Sequence, residues 1–372
     1  MNTPLSNIAR VLLLTVGLAT AGISFAQQGA QSPTPQKVES VNIMDVGRAP
    51  NATSQAAIEA SKNQPGNNAP IWRTVNSETI NYTSIPGAEN GVLIQKTGQE
   101  WRLIRNGVIT VYGAWLLTFV FCAIVAVFIL KGSIKLHEPM SGKTIQRFTL
   151  LERITHWTMA FTFVALALTG ILILWGKYFL LPLMGPGLYG PFLLACKNIH
   201  NFVGPAFTVS IIVFFILFVR RNLPEQGDWE WVKGLGGLLT GKHIPANFFN
   251  PGEKMLFWGL LVILGSIVSA SGWVLNMIVP FMQIEYFRGT MQIANIIHNV
   301  GSILMVAMAL GHMYIGSIGM EGALEAMRDG YVDETWAKAH HDAWYDDIKA
   351  GKISPVRSKE GATAMGSQVM AQ

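Results

Sequence analysis

Ala294-Asn-Ile-Ile-His298-Asn-Val-Gly-Ser-Ile-Leu-Met-Val-Ala-Met-Ala-Leu-Gly311-His312-Met-Tyr314-Ile-Gly-Ser-Ile318 decides the fold. The stretch contains no Asp, Glu, Lys or Arg and is long enough to cross a bilayer as a helix, which takes about 20 residues. Two histidines interrupt it, His298 and His312. Ionisable groups are costly in hydrocarbon, so each carries a functional expectation. At roughly 1.5 Å per residue they lie about 21 Å apart along the axis. At about 100° per residue they differ by only some 40° around it, so they face nearly the same way. Such a helix holds one group near each membrane surface.

Four more apolar segments precede this one, at about 108–130, 156–175, 202–219 and 255–277. The composition agrees with them: half of the 372 residues are hydrophobic and 13% are charged, about half the usual share for a soluble domain. Gly and Pro clusters at Pro182-Leu-Met-Gly-Pro-Gly187 and Gly234-Leu-Gly-Gly237 predict breaks between spans. Lys131, Lys135, Lys143, Arg147 and Arg153 follow the first span, and Arg220, Arg221, Lys233, Lys242 and Lys254 follow the third. The opposite loops carry Lys177, Lys197 and Arg288. The positive-inside rule puts the two basic loops and the tail, residues 321–372, in the cytoplasm of a bacterial inner membrane protein. Arg10, the apolar run 11–23 and Ser24-Phe25-Ala26 read as a signal peptide over 1–26. Cleavage there predicts the same topology, with the mature N-terminus periplasmic. Residues 27–105 are polar and read as a partly disordered periplasmic segment. Its Ile43-Met44, Ile71-Trp72 and Val92-Leu93-Ile94 clusters are candidates for docking on a partner.

His137, His243, His340 and His341 fall in loops or the tail and are expected to be solvated. The other four fall in or at the ends of spans. His156 opens the second span, level with His312; His200 opens the third, level with His298. Two facing pairs result, one per leaflet. Each suits one haem b, whose iron is gripped from both faces and left with no open position, as electron transfer requires. Zinc or copper would need further ligands near each pair. The two cysteines, Cys122 and Cys196, support neither a disulfide framework nor covalent haem attachment, for which Cys-x-x-Cys-His is lacking. Gly170, Gly204, Gly301 and Gly311 flank the sites, where small residues admit a flat macrocycle or a neighbouring helix. A transporter or assembly scaffold with structural histidines is the reading from another class. Transporters commonly carry inverted repeats, and no internal repeat is visible.

Arg153-Ile-Thr-His156-Trp157, Ile199-His200-Asn-Phe-Val-Gly204, Asn250-Pro-Gly-Glu-Lys254-Met-Leu-Phe-Trp258, Ile297-His298 and Gly311-His312-Met-Tyr314 resemble the cytochrome b (gamma) subunit of respiratory formate dehydrogenases. So does the tail segment Trp336-Ala-Lys-Ala-His340-His341-Asp-Ala-Trp344-Tyr345. The likeness covers about 149–348. It implies an all-α membrane protein: a four-helix transmembrane di-haem cytochrome b core over 149–320, plus one extra N-terminal helix over 106–131. It implies that His156 and His312 ligate the iron of the cytoplasmic-side haem, and His200 and His298 that of the periplasmic-side one. It further implies a quinone pocket with Asn250, Gly252, Glu253 and Lys254, where Glu253 departs from the family's Gln. That carboxylate reads either as a proton relay to quinone or as a solvated acid favoured by a helix N-terminus. The implied partners are a periplasmic iron–sulfur (beta) subunit and a molybdenum or tungsten (alpha) subunit that oxidises formate. Membrane lipid surrounds the chain, and no nucleic acid is expected to bind. The cytochrome b of a nickel–iron hydrogenase or of a thiosulfate-type reductase shares the same helix core and is the nearest alternative.

Overall fold

The computed structural model describes residues 81–82, 92–94, 96–234, 245–276 and 287–357. The signal peptide, most of the polar segment, His243 and residues 358–372 lie outside these. The first described elements are the short antiparallel strands β1 (Asn81–Tyr82) and β2 (Val92–Ile94). Helix α1 (Lys96–Leu103) then runs through a π-helical turn, Ile104–Ile109, into α2 (Thr110–Lys131). Helix therefore begins well before 106, because a π turn absorbs the change of register without breaking the rod.

Helix α3 (Leu150–Phe218) starts at a capping box, in which Thr149 accepts from the Glu152 N–H and Glu152 accepts from the Thr149 N–H. Its 69 residues would measure roughly 100 Å if straight, against about 30 Å of hydrocarbon. The helix is instead interrupted at Gly185 (φ 71°, ψ 164°), and its two limbs lie side by side. The limbs meet at successive levels away from the turn. Thr169 touches His200 at 2.8 Å, Phe163 and Phe207 sit 6.1 Å apart between ring centroids, and the second-limb side chain Phe214 is 6.3 Å from His156. The helical limbs extend well beyond the predicted 156–175 and 202–219. Pro182, Pro186 and Pro191 are accommodated within the helix, so the break is narrower than the Gly/Pro cluster suggests.

Strand β3 (Thr144–Gln146) precedes α3, and α4 (Asp228–Lys233) follows it. The fourth span is α5 (Pro251–Met255), a π-helical stretch Leu256–Leu264 and α6 (Gly265–Leu275). The fifth is α7 (Phe287–Tyr314), ending in a π turn, Ile315–Gly319. Among the described residues, four helices are thus long and apolar enough to cross a membrane, and the second is the hairpin. Large apolar side chains such as Trp115, Phe119, Phe161 and Ile212 are exposed on their outer faces, as lipid contact demands. The chain is an integral membrane protein.

The residues after the fifth span form a cap over the His156 end of the bundle. Helices α8 (Ala323–Arg328), α9 (Glu334–His340) and α10 (Asp342–Lys349) flank strand β4 (Tyr331–Asp333), which pairs antiparallel with β3. Trp336, Trp344, Val332 and Ile145 share one apolar cluster with Phe218 and Phe257 of the spans. At its centre Arg147, 1% exposed, donates to the Glu253 carboxylate at 2.9 Å and lies over the Trp336 ring at 4.9 Å. His341 is 1% exposed, with Nδ1 2.8 Å from the Asn247 carbonyl oxygen. His340 packs against Trp336. The expectation that these two histidines are solvated is therefore wrong. The aromatic residues around them pull the segment onto the bundle. Burial and the Arg147 charge hold His341 well below its ordinary value and His340 at about 4. His137 is exposed as expected.

Candidate functional site: two histidine pairs

Both predicted histidine pairs form. His156, from the first turns of α3, faces His312 near the end of α7 with ring centroids 6.2 Å apart. His200, from the second limb of α3, faces His298 of α7 at 6.1 Å. Iron–nitrogen bonds of about 2 Å, with each ring centroid about 1.1 Å behind its nitrogen, would put two imidazoles on one iron about 6.3 Å apart. Both pairs match a single metal atom held between the rings. Among the described residues no three His, Cys, Asp or Glu side chains converge as a zinc site would require.

The pairs differ in what lies behind the rings. His200 Nδ1 is 2.8 Å from Thr169 Oγ1, and the Thr169 hydroxyl itself reaches the Ala165 carbonyl at 2.7 Å. His298 Nδ1 is 3.0 Å from the Val268 carbonyl oxygen and 3.2 Å from Ser271 Oγ. With Nδ1–H donating backwards, Nε2 of each ring is left as the metal-binding nitrogen. His156 Nδ1 is buried and has no hydrogen-bond partner among the described residues.

The four flanking glycines separate into different roles. A Cβ at Gly170 would stand 3.4 Å from His200 Cε1. Gly204 and Gly311 look onto open space, and Gly204 lines the cavity at this end. Gly301 serves helix packing: a Cβ there would stand 3.0 Å from a Val268 methyl. Gly272, not singled out in the sequence, does for His298 what Gly170 does for His200, at 3.2 Å from Cε1. Around His200 and His298 lies a cavity of about 370 Å³, lined mainly by apolar side chains, with Arg105 and Lys197 among them. Thr169, Ser271, Gly272 and Arg105 are the site residues that sequence reasoning missed. Small hydroxyl residues are common in spans, and only the fold brings these to an imidazole.

Asn250, Gly252, Glu253 and Lys254 come together at the start of the fourth span, each with a local role. Asn250 and Glu253 form a second capping box, Asn250 Oδ1 accepting from the Glu253 N–H and Glu253 accepting from the Asn250 N–H, both at 2.9 Å. Glu253 also holds Arg147, so it is an ion-paired helix-capping acid rather than a merely solvated one. Buried Lys254 bridges Asp228 at 2.9 Å and Glu225 at 3.1 Å. A Cβ at Gly252 would meet Trp231 at 3.0 Å.

Residues 147–330 match the family model described as prokaryotic cytochrome b561. Over those residues the chain is similar to that family. Among curated proteins, the cytochrome b556(fdo) subunit of formate dehydrogenase from Escherichia coli (strain K12) is 27% identical over 209 residues, covering 55% of this chain and 94% of that one. The nitrate-inducible cytochrome b556(Fdn) subunit of the same strain is 28% identical over 229 residues, 59% and 98% of the two chains. The cytochrome b556 subunit from Haemophilus influenzae is 26% identical over 223 residues, 58% and 88%. The likeness to formate dehydrogenase cytochrome b subunits read from the motifs is thus borne out. The cytochrome b561 core spans both histidine pairs and leaves α1 and α2 outside it.

Proposed function

We propose that the chain is the membrane anchor and electron-transfer subunit of a formate dehydrogenase. In this reading it carries electrons from a periplasmic iron–sulfur subunit, through two haems b, to a quinone. Haem b supplies reversible one-electron storage at iron. His200 and His298 hold the periplasmic-side group, and His156 and His312 the cytoplasmic-side one. The single observation that carries the reading is the pair of imidazole couples, each about 6 Å across and each formed between α3 and α7. Each pair would supply a haem iron with two imidazole nitrogens, an arrangement suited to electron transfer rather than to substrate binding. The names of the relatives favour formate dehydrogenase over a hydrogenase. Formate oxidation then belongs to a molybdenum or tungsten subunit outside the membrane, and this chain contributes none of that chemistry.

On the cytoplasmic side, Asn250, Gly252, Glu253 and Lys254 border the quinone pocket. The Glu253 carboxylate, balanced by Arg147 and 3.8 Å from His341 Nε2, is the group available to pass a proton inward from the cap. The protein sits in the bacterial inner membrane with its mature N-terminus periplasmic and its C-terminus cytoplasmic.

The test is optical. Purified protein should give sharp reduced α and Soret bands and bind two haems b per chain. His298→Ala should remove one and leave the other. Unchanged haem content in that variant, or a colourless wild-type protein, would overturn the reading.

A further inference from the structure

We propose that Arg105, carried by the helix ahead of the cytochrome core, and Lys197 grip the propionate carboxylates of the periplasmic-side haem. The inference rests on the proposal that His200 and His298 hold a haem, and goes beyond it in making the N-terminal helix part of that site. Among the described residues, the cavity at this pair is bordered by two charged side chains, Arg105 and Lys197, and by no carboxylate. Neither cation forms an ion pair among the described residues; Arg105 Nη1 donates to Asn106 Oδ1 at 2.9 Å. Haem brings two carboxylates to any pocket, and carboxylates at the edge of hydrocarbon need cationic partners. A guanidinium meets a carboxylate with two parallel N–H donors, which suits Arg105 to this task.

The helix that carries Arg105 is fixed rather than adjacent by chance. Trp101 Nε1 donates to Asn295 Oδ1 at 3.2 Å, and Trp175 Nε1 donates to the Thr110 carbonyl at 2.8 Å. Asn295 and Trp175 line the same cavity. Gly113 admits Ile303 so closely that a Cβ there would lie 2.6 Å from its Cδ1. Arg105 lies in the π-helical turn Ile104–Ile109, whose altered register sets the direction of its side chain relative to α2.

The experiment is a spectroelectrochemical titration of the purified full chain, comparing wild type with Arg105→Gln, Arg105→Lys and Arg105→Gln/Lys197→Gln. His298→Ala identifies the periplasmic-side component as the one it removes. Losing a cation near the propionates leaves their negative charge to favour ferric iron, so that component should shift to lower potential. The double variant should shift it further, Arg105→Lys should restore most of the loss, and the other haem should stay in place as the internal control of folding. An unshifted, fully retained component in the double variant would overturn the inference and leave the haem assignment standing. Retention of both haems by His298→Ala would instead remove the assignment itself, and this inference with it.

Discussion

At the scale of single residues, the informative contrast is behind the imidazoles. Thr169 and the Val268 carbonyl anchor the Nδ1 atoms of His200 and His298, whereas His156 Nδ1 has no partner among the described residues. A hydrogen bond accepted from Nδ1–H makes the imidazole a stronger base and favours oxidised iron. On the haem reading proposed above, the His200–His298 centre would on this ground be the more reducing of the two. Thr169→Val removes the hydroxyl acceptor and leaves the Leu166 carbonyl as the remaining backbone partner of His200. The expected outcome is a rise in that centre's potential, opposite in sign to the change at Arg105. An unchanged titration curve would show that the hydroxyl does not tune the ring. The histidines themselves were legible in the sequence, because ionisable groups in apolar runs stand out at a fixed helical interval. Thr169, Ser271 and Gly272 were not, because their meaning depends on which helix lies opposite.

Among the elements, α3 shows where sequence signals mislead. Four prolines lie within its limits, yet the helical path is interrupted at Gly185. Proline in a membrane helix is tolerated where neighbouring groups satisfy the freed carbonyl, while φ 71° with ψ 164° is open essentially to glycine alone. The sequence therefore revealed that a reversal occurs near 182–187, and the backbone geometry selects the residue that makes it. Gly185→Ala should lose about 1–3 kcal/mol through strain at that dihedral. Thermal unfolding in detergent checks this: the midpoint should fall in Gly185→Ala and hold in Gly187→Ala, whose added Cβ meets nothing within 4 Å. Equal midpoints for the two would contradict the assignment. The capping boxes at Thr149 and Asn250 were readable only after the fact, since Ser/Thr/Asn-x-x-Glu recurs by chance.

The molecule as a whole is a lipid-facing bundle closed at the His156 end by an aromatic cap. Sequence polarity placed residues 321–357 outside the membrane but gave no hint that they pack, since the partners of Trp336 and Trp344 lie up to two hundred residues away. His340 and His341 make the cap sensitive to acid. Burial depresses both, His340 from 6.5 to about 4. A neutral imidazole in the fold and a protonatable one in the open chain mean that stability is complete above pH 6.5 and declines as pH falls towards 4. Hydrogen-exchange protection over 320–357, corrected for the intrinsic pH dependence of exchange, should therefore fall between pH 7 and pH 5 more than protection in α7. His340→Gln/His341→Gln should flatten that difference, and a variant as acid-sensitive as the wild type would exclude these groups as the cause.

Placing His298 and His312 on one continuous helix has a last consequence. Their separation is set by covalent rise, fourteen steps of a rigid rod, and not by the lipid around it. A thicker or thinner host bilayer can tilt the rod but cannot stretch the interval. On the proposed haem reading, two electron stations mounted this way would keep a constant tunnelling gap, so the pace of exchange between them would travel with the gene into whatever membrane expresses it.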